Sequence, residues 1–511
     1  MAAADDAQRS AATAVAAADD PQRQGRLVRC ALAIAMIFLS GGAVYGWPSM
    51  RQILRRDGAL REGCGGALED DAPCDAQEER FGMIFTAGAW ANQGGRLLVG
   101  VALDRFGPAR TAAACSLAFA LGCVVFGATT HLAGLVVGFA LIGVGGAGVQ
   151  LAVQSVSALF EENRNLVMAL LSGAFQAASG LFLVFDLAHD AAPAACSRRT
   201  LLLAHAGVAV LLAAAARALW PHEVYGLSRA PDKAAAADDG DDPDGGAAAP
   251  VACVPLKERS FASQARSAEF KLVVALFSIN ALQCQFTVGT IGLQLEAKGD
   301  ADGAVTRLFS LVLALTFLAT PFIGTAIDRL GFVPVFAAVN SLLLMVPSLL
   351  LLPRTAPLGA QLATCFVYAV GRVGQWLSYF AFVGSTFGFR HYGKLAGGGL
   401  MVQAMVSLLQ YPLLALTLGA FDGDFTAVNA LFVATTALAY GTIVALRRVL
   451  RASAEEEAAA AGTAEEAAAA AESKEEGVAG SPRDGEEDAA MIELAVVAEC
   501  GAVQEAGLSE P

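Results

Sequence analysis

The sequence predicts an all-α membrane protein of twelve transmembrane helices in two six-helix bundles, with both termini cytoplasmic. Three observations predict this. The 511 residues are 56% hydrophobic with a mean hydropathy of +0.54, above the roughly 45–50% apolar content of soluble domains. The apolar residues fall in blocks close to the ~20 residues that cross a bilayer as a helix. A polar patch, GVALDRFGPAR at 100–110, returns as GTAIDRLGFVP at 324–334, each time at the end of an apolar block.

The elements follow in chain order. Residues 1–25 form a polar tail, expected to be disordered; its first 22 residues have no apolar core and are no secretory signal peptide. The first membrane helix is then the insertion signal. Spans are predicted at about 28–50, 80–103, 111–130, 132–158, 165–187 and 200–220, making an N-terminal bundle over 26–220. A linker at 221–268, rich in Ala, Asp, Gly and Pro, reads as largely disordered. The second bundle, 269–448, holds spans at about 270–292, 305–327, 332–352, 361–387, 395–418 and 425–447. Residues 449–511 form an acidic tail, read as solvated and disordered.

Charge sets the orientation. The net charge of -14 comes from the tail, where residues 452–511 carry sixteen acidic residues against Lys474 and Arg483. The rest is about neutral, with no clustered basic face for nucleic acid. With the N-terminus inside, roughly 22 Lys and Arg lie on the cytoplasmic side and roughly 10 outside. Loop 51–79 departs from that trend, with Arg51, Arg55, Arg56 and Arg61. The cysteines are scattered and none has metal-site spacing. Cys115, Cys123, Cys284 and Cys365 lie in apolar runs and read as small buried hydrophobes. Cys64 and Cys74 share a loop, where a disulfide is allowed if the loop is extracellular; Cys196 competes for either partner. No cofactor or metal is expected.

The polar patches lie 224 residues apart, between spans two and three and between spans eight and nine. A second pair agrees: Phe160 to Arg164 follows span four, and Phe389 to Lys394 follows span ten. Parallel repetition of six spans is the plan of one transporter class. The motif Gly100-x-x-x-Asp104-Arg105-x-Gly107-x-x-Arg110 resembles the loop signature of the major facilitator superfamily. Gly324-x-x-x-Asp328-Arg329-x-Gly331 resembles its second copy. The resemblance covers about 26–448. It implies a latch that holds the halves together on the cytoplasmic face in the outward-open state. The glycines are expected to let helices approach closely.

A narrower resemblance is to solute carrier family 43, which holds L-type amino acid facilitators and an equilibrative nucleobase transporter. It rests on YGWPSMRQILRRDG (45–58), CDAQEERFGMIFTAG (74–88), LDRFGPAR (103–110), GAFQAASGLFLV (173–184), HYGKLAGGGLMVQAMVSLLQYP (391–412) and FTAVNALF (425–432). Members move small neutral solutes without sodium. Trp47-Pro48-Ser49 and Gly173-Ala174-Phe175 look more like the nucleobase branch. Gln176 stands where that branch leads one to expect an acidic residue.

The substrate site is expected near the bilayer midplane between the halves. Charged and amide side chains there must face a cavity or a partner. Arg372 lies near the middle of span ten, with Gln375 and Trp376 one turn along. Gln150 and Gln154 share a face of span four. Asn92 and Gln93 lie in span two, Gln176 in span five, and Asn280 and Gln283 in span seven. Arg96 either snorkels or braces the gate. Tyr45 and Trp47 either stack on a substrate ring or anchor span one at the interface. Amides donate and accept, which suits a neutral polar solute, a purine nucleobase or a large neutral amino acid. No Asp or Glu lies near the middle of any span, so uncoupled transport is expected. The alternatives are a proton-coupled carrier using His205 or Asp186 and, from another class, a non-transporting sensor. No catalytic constellation marks an enzyme. A monomer in the plasma membrane is expected, with an internal membrane as the alternative.

Overall fold

The structure is a computed structural model and describes residues 21–62, 64, 74–160, 164–220, 256–388 and 391–477. The expected disorder of residues 1–20, 221–255 and 478–511 lies outside the described residues. Every described element is helical. In chain order these are α1 (Pro21–Ser40), α2 (Trp47–Arg56), α3 (Asp75–Ala128), α4 (Leu132–Val153), α5 (Arg164–Ala177), α6 (Leu181–Ala191), α7 (Arg198–Leu219) and α8 (Phe261–Arg266). Then come α9 (Ala268–Glu296), α10 (Ala304–Ala314), α11 (Thr320–Leu330), α12 (Phe332–Leu350), α13 (Gln361–Phe387), α14 (Tyr392–Ser407), α15 (Gln410–Ala420) and α16 (Thr426–Gly477). Short 3-10 turns at 43–46, 178–180 and 315–319 join α1 to α2, α5 to α6 and α10 to α11. The first, fifth and eighth predicted spans are therefore each two helices in series.

Ten helices are long and apolar enough to cross a membrane. The chain is an integral, multi-pass membrane protein. Helix also covers the second and tenth predicted spans, in α3 before Gly107 and in α13, but these fall outside the ten. They are the helices that carry Arg96 and Arg372, and polar residues lower their hydropathy.

Two boundaries are corrected. Span one does not stop at residue 50 but runs helical through Arg56. Its arginines are not loop charges, because carboxylates meet them as described below. The last helix runs beyond 448 to Gly477, so the first part of the acidic tail is helical. Its Ala and Glu are strong helix formers.

The chain forms two compact units that do not follow the predicted division at the linker. The first takes Met1–Ser228, Leu276–Tyr379 and Gly397–Tyr440. In it α4 packs at backbone distance on its neighbours. A Cβ at Gly143 would sit 2.3 Å from the Gly88 carbonyl oxygen, and one at Gly146 2.2 Å from that of Ser40. The second unit takes Arg229–Ala275, Phe380–Ala396 and Gly441–Pro511. Within it Ser260 caps α8 by accepting from the Ser263 amide. Gln264 donates to the carbonyls of Leu256 and Phe387, and Phe261 packs edge-on to His391.

The repeated patch recurs in the backbone. Gly107 has φ 75° and ψ 170°, and Gly331 has φ 78° and ψ 173°. This region is essentially closed to residues with a Cβ. At each position one helix ends and the next begins. The expectation of close helix approach is corrected: among the described residues nothing lies within 4 Å of a Cβ built on Gly100, Gly324 or Gly331. The glycine at 331 supplies a backbone turn, not a packing contact. Replacing Gly331 by Ala is expected to cost about 1–3 kcal/mol of stability, read as a lower thermal midpoint of the purified protein. An unchanged midpoint would show that the turn carries no strain for a side chain.

Candidate functional site

Two polar layers lie inside the first unit. One sits at the end where the chain carries the Cys64–Cys74 disulfide; Cys196 is free. Arg51, near the C-terminus of α2, is only 1% exposed. Its Nε and Nη2 donate to Glu78 at 2.8 and 2.6 Å, and its Nη1 donates to Glu296 at 3.0 Å. Arg55 reaches the same Glu296 at 2.5 Å. One turn of helix separates Arg51 from Arg55, so both aim at one carboxylate. Asp186, fully buried on α6, holds Arg56 and, at 3.0 Å, Arg307 from α10. Arg307 also pairs with Asp190 at 3.0 Å. Arg198 joins Asp57 at 3.0 Å. Hydroxyl contacts extend the layer: Ser49 donates to Ser310 at 3.0 Å and Tyr411 to Glu79 at 3.0 Å.

These bonds tie the first predicted bundle to the second, through Arg51 and Arg55 on Glu296 and through Arg307 on Asp186 and Asp190. Sequence reading named Asp186 as a candidate for proton coupling but missed its partners. The only signal was acidic and basic residues together at the ends of apolar blocks. Just beyond the helices, burial and the nearby Arg354 push the Lys298 ammonium below its usual range. Bonds from Thr426 hold the Asp424 carboxyl down.

The second layer is central and contains no ion pair among the described residues. Arg372 Nη1 donates to Gln176 Oε1 at 3.0 Å, joining α13 to α5. Its guanidinium lies 4.2 Å from the centre of the Tyr45 ring, within cation–π range. Arg96 donates to Gln150 at 2.8 Å and lies over Phe175 at 5.5 Å. Tyr45 and Phe175 meet edge to face at 6.1 Å. Beside them, Asn92 donates to the carbonyls of Gly41 and Gly143, and Gln93 donates to the Tyr45 hydroxyl at 3.2 Å. Seven residues singled out in the sequence (Arg372, Gln176, Arg96, Gln150, Asn92, Gln93 and Tyr45) are therefore in one cluster.

Other expected site residues lie outside it or are held by the fold. Trp47 is fully buried against Phe81, Phe85 and Phe139. Gln283 donates to the Leu343 carbonyl and accepts from Thr436. Asn280 donates to Asn340. Gln375 donates to the Phe277 carbonyl and accepts from Cys284, and Trp376 packs edge-on to Phe277. Gln154 is half-buried where α4 gives way to a 3-10 turn. Of the expected latch, Arg105, Arg110, Asp328 and Arg329 are exposed and make no ion pair among the described residues. The Asp104 side chain falls outside the described residues.

The ion-paired layer makes a sharp prediction. Glu78 is 1% exposed, whereas Glu296 is 15% exposed. Losing one partner of a buried pair costs roughly 3–5 kcal/mol because the other charge stays buried. Glu78→Gln is therefore expected to lower the thermal midpoint more than Glu296→Gln, which leaves Arg51 its bidentate partner. Equal shifts would contradict this ranking.

Comparison with known proteins gives the family. The profile of the Major Facilitator Superfamily matches residues 30–411. Equilibrative nucleobase transporter 1 of Bos taurus is 25% identical over 448 residues, 78% of this chain and 91% of that one. Large neutral amino acids transporter small subunit 3 of Homo sapiens is 24% identical over 210 residues, 38% of this chain and 37% of that one. Both fit the resemblance to solute carrier family 43. Among solved structures, the POT family transporter PepTSo superposes with a TM-score of 0.60 at 13% identity, over 84% of this chain and 98% of that one; the likeness is one of fold. With the family profile spanning most of the helical region, the chain belongs to the major facilitator superfamily of membrane transporters.

Proposed function

We propose that the protein is a facilitator that moves a small neutral organic solute, a purine nucleobase or a large neutral amino acid, by uncoupled alternating access. Twelve helices cross the membrane as two bundles, with both termini cytoplasmic and the Cys64–Cys74 end outside. The plasma membrane is its site, and one chain suffices. The observation that carries this reading is the bond from Arg372 to Gln176 over the Tyr45 ring. It puts a donor fork, an amide and an aromatic face together where α5 of one bundle meets α13 of the other. The ion-paired layer between Arg51, Glu296, Arg307 and Asp186 serves as the outer gate, and the paired turns at Gly107 and Gly331 serve the cytoplasmic latch.

The residues available for proton coupling are occupied. His205 Nε2 meets the Leu39 carbonyl at 2.7 Å, and its ring packs between Phe119 and Phe185. Asp186 is held by two arginines. The central layer has no carboxylate partner for either arginine among the described residues, so it offers no acidic relay. This supports uncoupled movement over a carrier using His205 or Asp186.

The test is uptake of labelled adenine and labelled leucine by cells expressing the protein. One of the two is expected to enter faster than in control cells. Arg372→Ala should lower that uptake roughly tenfold or more, as loss of a charged hydrogen bond does. Dissipating a pH gradient across vesicles should leave the rate unchanged. A rate that collapses with the gradient and recovers with it would establish coupling instead, and entry of neither solute would end the substrate assignment.

A further inference from the structure

The central layer repeats one arrangement twice. Arg372 and Arg96 each donate to a glutamine carbonyl, Gln176 and Gln150, and each lies over an aromatic ring, Tyr45 and Phe175. Arg372 is buried, Arg96 half-buried. Neither has a carboxylate partner among the described residues. A guanidinium has five N–H donors and no acceptor. An amide oxygen satisfies some of those donors and none of the charge. The Arg96 Nε–H is itself buried without a partner among the described residues. The layer is thus rich in donors and short of acceptors, and a buried charge left in that state is costly.

One acceptor is left over. Gln93 is 2% exposed. Its Nε2 is committed to the Tyr45 hydroxyl, and its Oε1 is buried with no partner among the described residues. Around the Tyr45 ring the site therefore offers a donor fork from Arg372 and a single acceptor from Gln93. Its best complement is a flat ring with two adjacent acceptors on one edge and an N–H elsewhere.

On the reading of this site as a purine site, we propose that the layer selects 6-oxopurines, such as hypoxanthine, over the 6-aminopurine adenine. In a 6-oxopurine, O6 and N7 are adjacent acceptors, the pair that an arginine fork binds bidentately. The ring N–H groups remain for Gln93 Oε1. Adenine instead turns its N6 amino donors toward a donor-only fork, leaving N–H groups opposed and unpaired. The ammonium of a leucine zwitterion would meet the same excess of positive charge. Gln176 sets this preference by being neutral: a glutamate at the same place would engage the fork and cancel its charge.

The test is initial uptake of labelled hypoxanthine, labelled adenine and labelled leucine into proteoliposomes holding the full chain. Wild-type protein is expected to favour hypoxanthine about tenfold or more, the worth of one bidentate pair. Arg372→Gln should swing the ratio toward adenine by a similar factor, because an amide pairs with both the N6 donor and N7 acceptor. Gln176→Glu should bring the ratio toward unity. If either variant fails to reconstitute, the wild-type ratio still decides. Equal rates, or faster adenine, overturn the selectivity while leaving transport standing. Movement of leucine alone overturns the purine assignment and the selectivity together, but not transport. Movement of none of the three overturns the substrate assignment and the selectivity with it.

Discussion

A guanidinium sealed from water must find its counter-charge inside the protein, and Arg51 imposes that constraint on the structure. It is 1% exposed and takes two carboxylates, Glu78 and Glu296. Its position near the end of α2 commits the first span to remain helical through Arg56. Its two partners come from α3 and from α9, so one residue fixes helices that are far apart in sequence. Arg55, Arg56, Arg307, Asp186 and Asp190 extend the same pattern. The disulfide and the Arg198–Asp57 pair reinforce this end.

The contrast between the two polar layers connects structure to function. At the disulfide end, positive charge is met by carboxylates, and the closed arrangement satisfies itself. In the centre, Arg96 and Arg372 are met among the described residues by amides and aromatic faces. A ligand has nothing to contribute to the first layer but can complete the second. That division suits a carrier whose gate must close without help and whose binding site must not. On the proposed reading it also separates stability from specificity: changes at Glu78 would act on the fold, and changes at Gln176 on what is carried.

Much of this was legible in the sequence, for reasons that can be named. Apolar block length placed the helices, because each must span the same hydrocarbon thickness. The doubled patch at Gly107 and Gly331 was legible because only glycine takes that backbone conformation. Arg372 and Gln176 stood out as polar residues that lipid would not tolerate. The ion-paired layer was not legible. Arg51 and Glu296 are 245 residues apart, and at the ends of apolar blocks their charges look like ordinary loop residues. Trp47 was ambiguous because a tryptophan at a predicted membrane boundary anchors, stacks or packs equally well; three phenylalanines bury it. The open space at Gly100 could not be read from a motif whose glycines have different duties.

The most direct test of the account asks whether the charged layer holds this end shut. Ser310 is 1% exposed and accepts from the Ser49 hydroxyl at 3.0 Å across the layer. A cysteine at 310 can be challenged from outside with a membrane-impermeant thiol reagent, with the parent protein as background. The account predicts protection while Glu296 and Asp186 are intact, and labelling once Glu296→Gln and Asp186→Asn are introduced together. Equal labelling with and without those changes would contradict it.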